Sequence, residues 1–202
     1  MTAPAFGKAV AASAWGITRS VPAVVIGVAA TAASVVAVPG VGGWLGAILA
    51  LLMVSVAVSD LRRFVIPDTL NLLALTFGLA DAALSPNEGT FTALSGALLR
   101  GAALAAAFYA LRVLYAQLRG RDGIGLGDVK LAAVAGAWLS WPMLPIAVEI
   151  AALSALCAYG LRQYGTQRPL RATGRLPFGL FFAPAIWICW LLQETALWPV
   201  LM

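Results

Sequence analysis

Long apolar segments separated by short polar loops dominate this sequence and restrict what it can fold into. A helix needs about 20 apolar residues to cross a membrane, and segments of nearly this length recur along the chain. Hydrophobic residues fill 62% of the 202 positions and charged residues only 10%, whereas soluble domains average about 25% charged. We therefore predict an all-α fold, a single integral-membrane domain over residues 1–202 with about six to seven transmembrane helices.

Proline, glycine and charged residues mark the expected ends of these helices. The spans are predicted at 21–38, 44–59, 68–84, 91–118 (or from 95), 128–141, 144–161 and 176–192. The fifth is short, and the sequence does not decide whether it crosses the membrane fully. Because further spans follow, the first is interpreted as a retained helix rather than a cleaved signal.

Basic residues collect on one side of the membrane if the spans alternate in direction. These residues are Lys8, Arg19, Arg62, Arg63, Arg119, Arg121, Arg162, Arg168, Arg171 and Arg175. Since cytoplasmic loops are rich in lysine and arginine, this side is expected to face the cytoplasm. Lys130 and Arg112 can extend their side chains toward the same side, and only Arg100 does not fit the pattern.

The residue types that are missing exclude several kinds of chemistry. The sequence has no histidine, which excludes a Ser-His-Asp triad and a histidine metal site. Cys157 and Cys189 stand alone in apolar segments and form no Cys-x-x-Cys pair. We expect no metal and no cofactor, and the basic residues are too dispersed to predict a nucleic-acid surface. Carboxylates remain as the main catalytic candidates.

Two aspartates, Asp60 and Asp128, stand at the ends of predicted spans, and the alternating topology places both at the cytoplasmic boundary. Gly123, Gly125 and Gly127 precede Asp128 and allow close approach of another segment. The simpler alternatives are that Asp128 caps its helix and that Asp60 is solvated by lipid headgroups. If the two carboxylates are held close, they share a proton, so one can act as base and the other as acid.

Three motifs resemble those of the type IV prepilin peptidases. Gly125-Leu126-Gly127-Asp128 is similar to the Gly-x-Gly-Asp motif of that family, and Asp60-Leu61-Arg62 with Ile66-Pro67-Asp68 is similar to its other aspartate segment. Pro177-Phe178-Gly179 resembles its Pro-Phe-Gly element, although Leu180 replaces the proline that often follows. The resemblance covers roughly residues 51–183.

The resemblance implies an intramembrane aspartyl protease whose catalytic residues are Asp60 and Asp128. It gives a supporting place in the motifs to Gly125, Gly127, Lys130, Pro67 and Asp68, and a place in a substrate groove to Pro177, Phe178 and Gly179. Members of the family remove the short basic leader of prepilins and pseudopilins at the cytoplasmic face of the bacterial inner membrane. The implied partners are such a precursor and the lipid bilayer.

One departure from the larger bacterial members concerns a second activity. Those members carry a cytoplasmic insertion with Cys-x-x-Cys motifs after the first helix, and they also N-methylate the new terminus. Here only residues 39–43 separate the first two spans, so we do not expect N-methylation. The size resembles the short members that serve Flp-type pili and the archaeal preflagellin peptidases.

Two other acidic residues keep an alternative function open. Glu149 falls inside the sixth span, and Asp81 lies toward the outer end of the third. Carboxylates at several depths would suit a small proton-coupled transporter that uses Asp60, Asp128 and Glu149 as a relay. An inactive scaffold of the same family is a third interpretation. The glycine motif and the placement of both aspartates at one face favour the protease.

Overall fold

The computed structural model describes residues 5–85, 89–120, 123–166 and 177–195, with side chains from residue 21 onward except at positions 162, 163, 165 and 166. All regular secondary structure in these residues is helical. The helices are α1 (Ala5–Ala37), α2 (Val41–Arg63), α3 (Asp68–Ala83), α4 (Thr90–Arg119), α5 (Leu126–Trp138), α6 (Met143–Thr166) and α7 (Gly179–Glu194). The prediction of an all-α membrane helix bundle is confirmed.

The helices differ in their capacity to cross a bilayer. Among the described residues, α2, α4 and the Met143–Leu161 part of α6 are long and apolar enough, whereas Val21–Ala37 and α7 are shorter apolar helices. Helices α3 and α5 have 16 and 13 residues, which makes them about 24 and 20 Å long. The hydrocarbon core is about 30 Å thick, so α5 does not cross it alone.

Helix boundaries differ from the predicted spans mainly where a charged residue was taken as a helix end. Helix α1 begins at Ala5 and continues through Pro22, about 16 residues before the expected start. A lysine or arginine ends the membrane-embedded part of a helix without interrupting its backbone hydrogen bonds, so the helix outlasts the apolar segment. Helix α7 begins at Gly179, three residues after its predicted start, and Phe178 is its N-cap residue.

Helix α5 occupies the centre of the bundle and packs against α3, α4 and α7. Almost every residue from Leu131 to Trp138 is buried, so this part of the helix has no solvent or lipid face. Close packing on α4 depends on two glycines, because a Cβ atom at Gly136 would overlap the backbone of Gly101. The central position of α5 holds its first turn at a fixed place at one end of the bundle.

Arg100, the one basic residue outside the charge pattern, has a partner inside the protein. Its Nε donates a hydrogen bond to the carbonyl oxygen of Gly136 in α5, at 3.2 Å. A hydrogen bond of this kind reduces the cost of placing a cation within the membrane-embedded part of the protein. Arg100 therefore serves α4–α5 packing and carries no information about orientation.

The end of the bundle where α5 and α7 finish is closed by tryptophan and glutamine contacts. The indoles of Trp138 and Trp190 meet edge to face with centroids 6.3 Å apart, and Trp138 Nε1 donates to Ala74 O at 2.8 Å. The Gln193 amide accepts from Ser140 N and donates to Trp138 O. These contacts fix the ends of α5 and α7, whose first turns lie together at the opposite end.

Candidate active site

The last turn of α2 carries Asp60 and is followed by a tight reversal of the chain. Phe64 adopts a left-handed conformation with φ 54° and ψ 33°, and its N–H donates to Asp60 O at 2.9 Å. The Ser59 hydroxyl donates to Val65 O at 2.8 Å. These bonds turn the chain back into the protein, so that Ile66 is buried with 7% exposure and Pro67 caps the start of α3.

Asp60 is buried and belongs to the protein interior, since only 6% of it is exposed. Its Oδ2 accepts the N–H of Leu180 at 3.0 Å, across 120 positions of sequence, and the N–H of Gly179 also bonds to this carboxylate. The alternative that lipid headgroups solvate Asp60 is therefore wrong. Asp60 binds the first turn of α7, where backbone N–H groups have no partner within their own helix.

Asp128 lies in the first turn of α5, which begins at Leu126, two residues before its predicted start. The N-cap is Gly125, and Asp128 Oδ2 accepts the Gly125 N–H at 3.3 Å. The alternative that Asp128 caps its helix is partly correct, because a carboxylate at the third position stabilises a helix start by reaching back in this way. The same carboxylate also lies close enough to Asp60 for the two to interact electrostatically.

Ile66 is the point at which the three motifs meet. A Cβ atom at Gly127 would lie 3.1 Å from Ile66 Cβ, and one at Gly179 would lie 2.8 Å from Ile66 Cδ1 and 2.9 Å from Asp60 Oδ2. Gly179 therefore leaves no room for a side chain, and Gly127 leaves little. The buried isoleucine sets the spacing between the starts of α5 and α7, and hence between the carboxylates that they hold.

Helix starts also provide the electrostatic setting of the site. The N-terminal end of a helix carries a partial positive charge of about half an elementary charge, which stabilises an anion placed there. Asp60 sits at the start of α7 and Asp128 at the start of α5. Two carboxylates close together in a membrane protein repel each other, and the two helix ends offset part of that cost. Such a pair can hold one shared proton and polarise a water molecule.

The remaining motif residues stabilise the elements around the pair. Asp68 forms a 2.6 Å ion pair with Lys130, and the two side chains are 74% and 50% exposed. This bond joins the N-terminal parts of α3 and α5. Lys130 therefore has a protein partner and is not simply extended toward the membrane surface.

Arg112 has a structural role that the sequence did not reveal. Its guanidinium donates to the carbonyl oxygen of Ile124 at 2.6 Å and thereby binds the glycine loop to α4. The side chain was expected to extend toward the cytoplasmic surface. A basic residue near the end of a span has the same sequence pattern whether it extends to the membrane surface or bonds a loop carbonyl. The sequence therefore could not distinguish these two roles.

The Pro177-Phe178-Gly179 segment contributes backbone contacts and aromatic packing. Phe178 lies 6.2 Å from the ring of Phe108 and 5.4 Å from that of Phe182, and Gly179 contacts Asp60. The expected role of the three residues in a substrate groove stays a prediction. The contact between Gly179 and Asp60 was not predicted, and neither was the central place of Ile66, which the sequence placed in the Ile66-Pro67-Asp68 segment without a role of its own.

Glu149 and Asp81 do not join the aspartate pair. Glu149 lies on the exposed face of α6, which packs mainly against α7. Asp81 lies near Glu194, and its position on α3 is 13 residues, about 20 Å, beyond Asp68. The described residues contain no group of three or more acidic or cysteine side chains placed to hold a metal ion. Asp81 and Glu194 thus form a separate acidic pair, distant from Asp60 and Asp128.

Comparison with known proteins assigns the chain to a family. The model of the type IV leader peptidase family matches residues 47–160, more than half of the sequence. The matched range includes Asp60 and Asp128 and ends before Pro177. The chain belongs to the type IV leader peptidase family. No solved structure matches it.

Curated relatives of this family member have bifunctional names. A prepilin leader peptidase/N-methyltransferase from Pectobacterium carotovorum is 35% identical over 143 residues, which cover 69% of this chain and 50% of the relative. A protein of the same name from Aeromonas hydrophila is 32% identical over 161 residues, covering 78% and 52%. A third, from Burkholderia pseudomallei, is 37% identical over 131 residues, covering 65% and 40%. The chain thus spans about half the length of the curated relatives it matches.

Proposed function

We propose that this chain is an intramembrane aspartyl peptidase that uses Asp60 and Asp128 to hydrolyse one peptide bond of a prepilin-like precursor. The observation that carries the proposal is that Asp60, bonded to the first turn of α7, and Asp128, in the first turn of α5, lie close enough to interact electrostatically. Family membership and the names of the relatives support the choice of substrate. The substrate class is a pilin or pseudopilin precursor with a short basic leader, Flp-type precursors included.

The proposed reaction needs only the two carboxylates and water. The pair shares one proton. The ionised member takes a proton from water, and the resulting hydroxide adds to the scissile carbonyl carbon while the protonated member donates to the carbonyl oxygen. The tetrahedral intermediate then collapses and the C–N bond breaks, as the protonated carboxyl donates its proton to the leaving amine and the ionised one takes a hydroxyl proton from the intermediate, which restores the shared proton. General acid–base chemistry of this kind contributes about a hundredfold to ten-thousandfold to a rate.

A proton-coupled transporter is the less favoured function. A relay needs carboxylates that exchange protons along one path, and Glu149 lies on the outer face of α6 rather than beside the aspartate pair. An inactive scaffold is disfavoured because both aspartates are present and brought together. The proposed partners are the precursor and the lipid bilayer. The proposal includes neither a cofactor nor a nucleic-acid partner.

The direct test is co-expression with a pilin-type precursor in a host that has no other leader peptidase. We expect the precursor to lose its leader, as measured by mass spectrometry of the new N-terminus. A precursor that stays intact, although the chain is inserted in the membrane, would contradict the proposal. The same spectra test the accompanying proposal that hydrolysis occurs without methylation, which a terminus heavier by one methyl group would disprove.

The proposed location is the bacterial inner membrane, with the aspartate pair at the cytoplasmic side. The support is the distribution of basic residues in the loops. Single cysteines at Thr166 and Asn87, in a variant without Cys157 and Cys189, should label from opposite sides of the membrane. Labelling of both positions from one side would overturn this orientation. Asn87 and the side chain of Thr166 lie outside the described residues.

A further inference from the structure

A groove between α1 and α2 is separate from the aspartate pair and has no assigned role. It has a volume of about 560 Å³ and is lined along its length by Val24, Val28, Leu51 and Val54, with Arg62 and Arg63 at one end. We refer to it as the α1–α2 groove. Its walls are apolar, whereas the end formed by the last turn of α2 is cationic.

The arginines at the end of the groove are available for an anion. Both are exposed, and neither forms an ion pair with any residue that the structure describes. The neighbouring carboxylate of Asp60 does not neutralise them, because it turns away and accepts hydrogen bonds from the start of α7. The hydroxyl of Ser59, which also lines this end of the groove, is used in its bond to Val65 O.

The length of the groove matches one leaflet of a bilayer. Leu51 and Arg62 are 11 positions apart in one helix, which corresponds to about 16 Å along its axis. Half of the hydrocarbon core is about 15 Å thick. An acyl chain lying against Leu51 and Val54 would therefore place its headgroup at the level of the two arginines. Basic pockets between transmembrane helices are known to hold anionic lipid headgroups.

From these observations we propose that the α1–α2 groove is a binding site for one anionic phospholipid. The acyl chain lies along the apolar walls, and the phosphate binds the guanidinium groups of Arg62 and Arg63. The charge at the groove end selects an anionic over a zwitterionic headgroup. The site lies on the side of α2 away from Asp60, so a bound lipid leaves the aspartate pair accessible.

Native mass spectrometry of the purified full-length chain tests the headgroup end. The protein is exposed to equimolar phosphatidylglycerol and phosphatidylcholine with identical acyl chains, and wild type should retain phosphatidylglycerol preferentially. A basic residue near the surface contributes about fivefold in affinity for anionic lipid. Arg62→Gln and Arg63→Gln should each lower the preference by about that factor. The matched control is Arg119→Gln, which removes an exposed arginine at the end of α4, outside the groove, and should leave the preference unchanged.

A second pair of variants tests the apolar part of the groove. A Cβ atom at Gly27 would lie 3.7 Å from Leu51 Cδ2 and 4.0 Å from Val54 Cγ1, both ordinary contacts. Gly27→Leu can therefore fill the groove without moving the backbone, and it should abolish the preferential retention. Gly160→Leu adds the same side chain where a Cβ atom meets open space, and it should retain the lipid as wild type does.

Several outcomes would overturn the lipid site. Equal retention of both lipids by wild type, or an equal loss in Arg119→Gln, would show that only general surface charge acts. Displacement of the lipid by glycerol phosphate alone would identify a site for free phosphate instead. A photoreactive residue at Val54 should capture lipid in native membranes, and its capture of a polypeptide or a second copy of the chain would assign the groove to that occupant.

Discussion

Asp60 and Asp128 are held in the same site by opposite means. Asp128 is positioned locally, because its carboxylate accepts the N–H of Gly125 three residues earlier. Asp60 is positioned by tertiary structure, because its carboxylate accepts an N–H group from a helix start 120 residues later in the chain. Asp60 is buried, whereas Asp128 is only partly buried.

The difference indicates which changes the site can tolerate. A local arrangement survives small shifts between helices, since the helix carries its own carboxylate and its own donor. A tertiary arrangement depends on the spacing of α2 and α7, where Gly179 leaves no room for a Cβ atom beside Ile66 and Asp60. We therefore expect the Asp60 side of the site to be the more sensitive to changes in its supporting residues.

The largest effect should come from removing either carboxylate, and we expect it to be equal for Asp60 and Asp128. Asp60→Asn and Asp128→Asn keep the size of the side chain but cannot exchange a proton as a carboxylate does. Each should lower the rate of leader cleavage by about a thousandfold or more, measured in membranes free of other leader peptidases. Both variants should remain folded and inserted.

The control for these variants is Asp68→Asn, which removes a nearby carboxylate outside the pair and should retain at least partial activity. If Asp60→Asn or Asp128→Asn cleaves at a near-normal rate, that residue is not half of a catalytic pair. One of the two aspartates would then be catalytic and the other structural.

The pH dependence of cleavage should show that the two sides act as one unit. In the proposed mechanism the pair is active with one shared proton, so activity should fall when it binds a second proton at low pH and when it loses the shared one at high pH. Far from the optimum, each limb should approach a tenfold change per pH unit, and the two apparent values belong to the pair. A rate profile measured on a synthetic precursor in detergent provides the test. A profile with one limb only would mean that a single carboxylate titrates in the reaction.

Two glycine substitutions separate the local from the tertiary side. Gly179→Ala would place a Cβ atom 2.9 Å from Asp60 Oδ2 and 2.8 Å from Ile66 Cδ1, so the Asp60 carboxylate, the Ile66 side chain or α7 must shift. A displacement of about 1 Å in a catalytic site can cost about a hundredfold in rate, and we expect a loss of that order. In Gly125→Ala the new Cβ atom lies 3.2 Å from Asp128 Oδ2, where a shift of a few tenths of an ångström is enough, and alanine readily adopts the backbone φ of −71°. Its loss should stay within about fivefold.

Steady-state cleavage rates of the two alanine variants, corrected for the amount of inserted protein, test whether the Asp60 side is the more sensitive. A loss in Gly125→Ala as large as that in Gly179→Ala would mean that the local arrangement is as sensitive as the tertiary one. Gly127→Ala should fall between them, because its Cβ atom would meet Ile66 at 3.1 Å without touching either carboxylate.

The local side is also the side that the sequence predicted best. The Gly125-to-Asp128 motif predicted both a helix start and a carboxylate beside it. The apolar segments predicted the helix bundle, and most helix boundaries lie within a few residues of their predicted positions. The contact of Asp60 with Leu180 could not be predicted, since the meeting of α2 and α7 depends on how all the helices pack. The hydrogen bonds of Arg100 to Gly136 O and of Arg112 to Ile124 O could not be predicted either. The sequence shows where the charged residues are, but not which carbonyl groups the folded chain brings near them.

The smallest effect should come from the ion pair that joins α3 to α5 beside Asp128. Lys130 and Asp68 are 2.6 Å apart, but both are at least half exposed, and exposed pairs contribute at most about 1 kcal/mol because water and salt screen them. Lys130→Met keeps most of the side-chain length and removes the charge. We expect the cleavage rate to change by less than about fivefold, and the difference from wild type to shrink in high salt. A loss comparable to that of Asp128→Asn, independent of salt, would show that Asp128 is not positioned by its own helix and that Lys130 acts in the reaction itself.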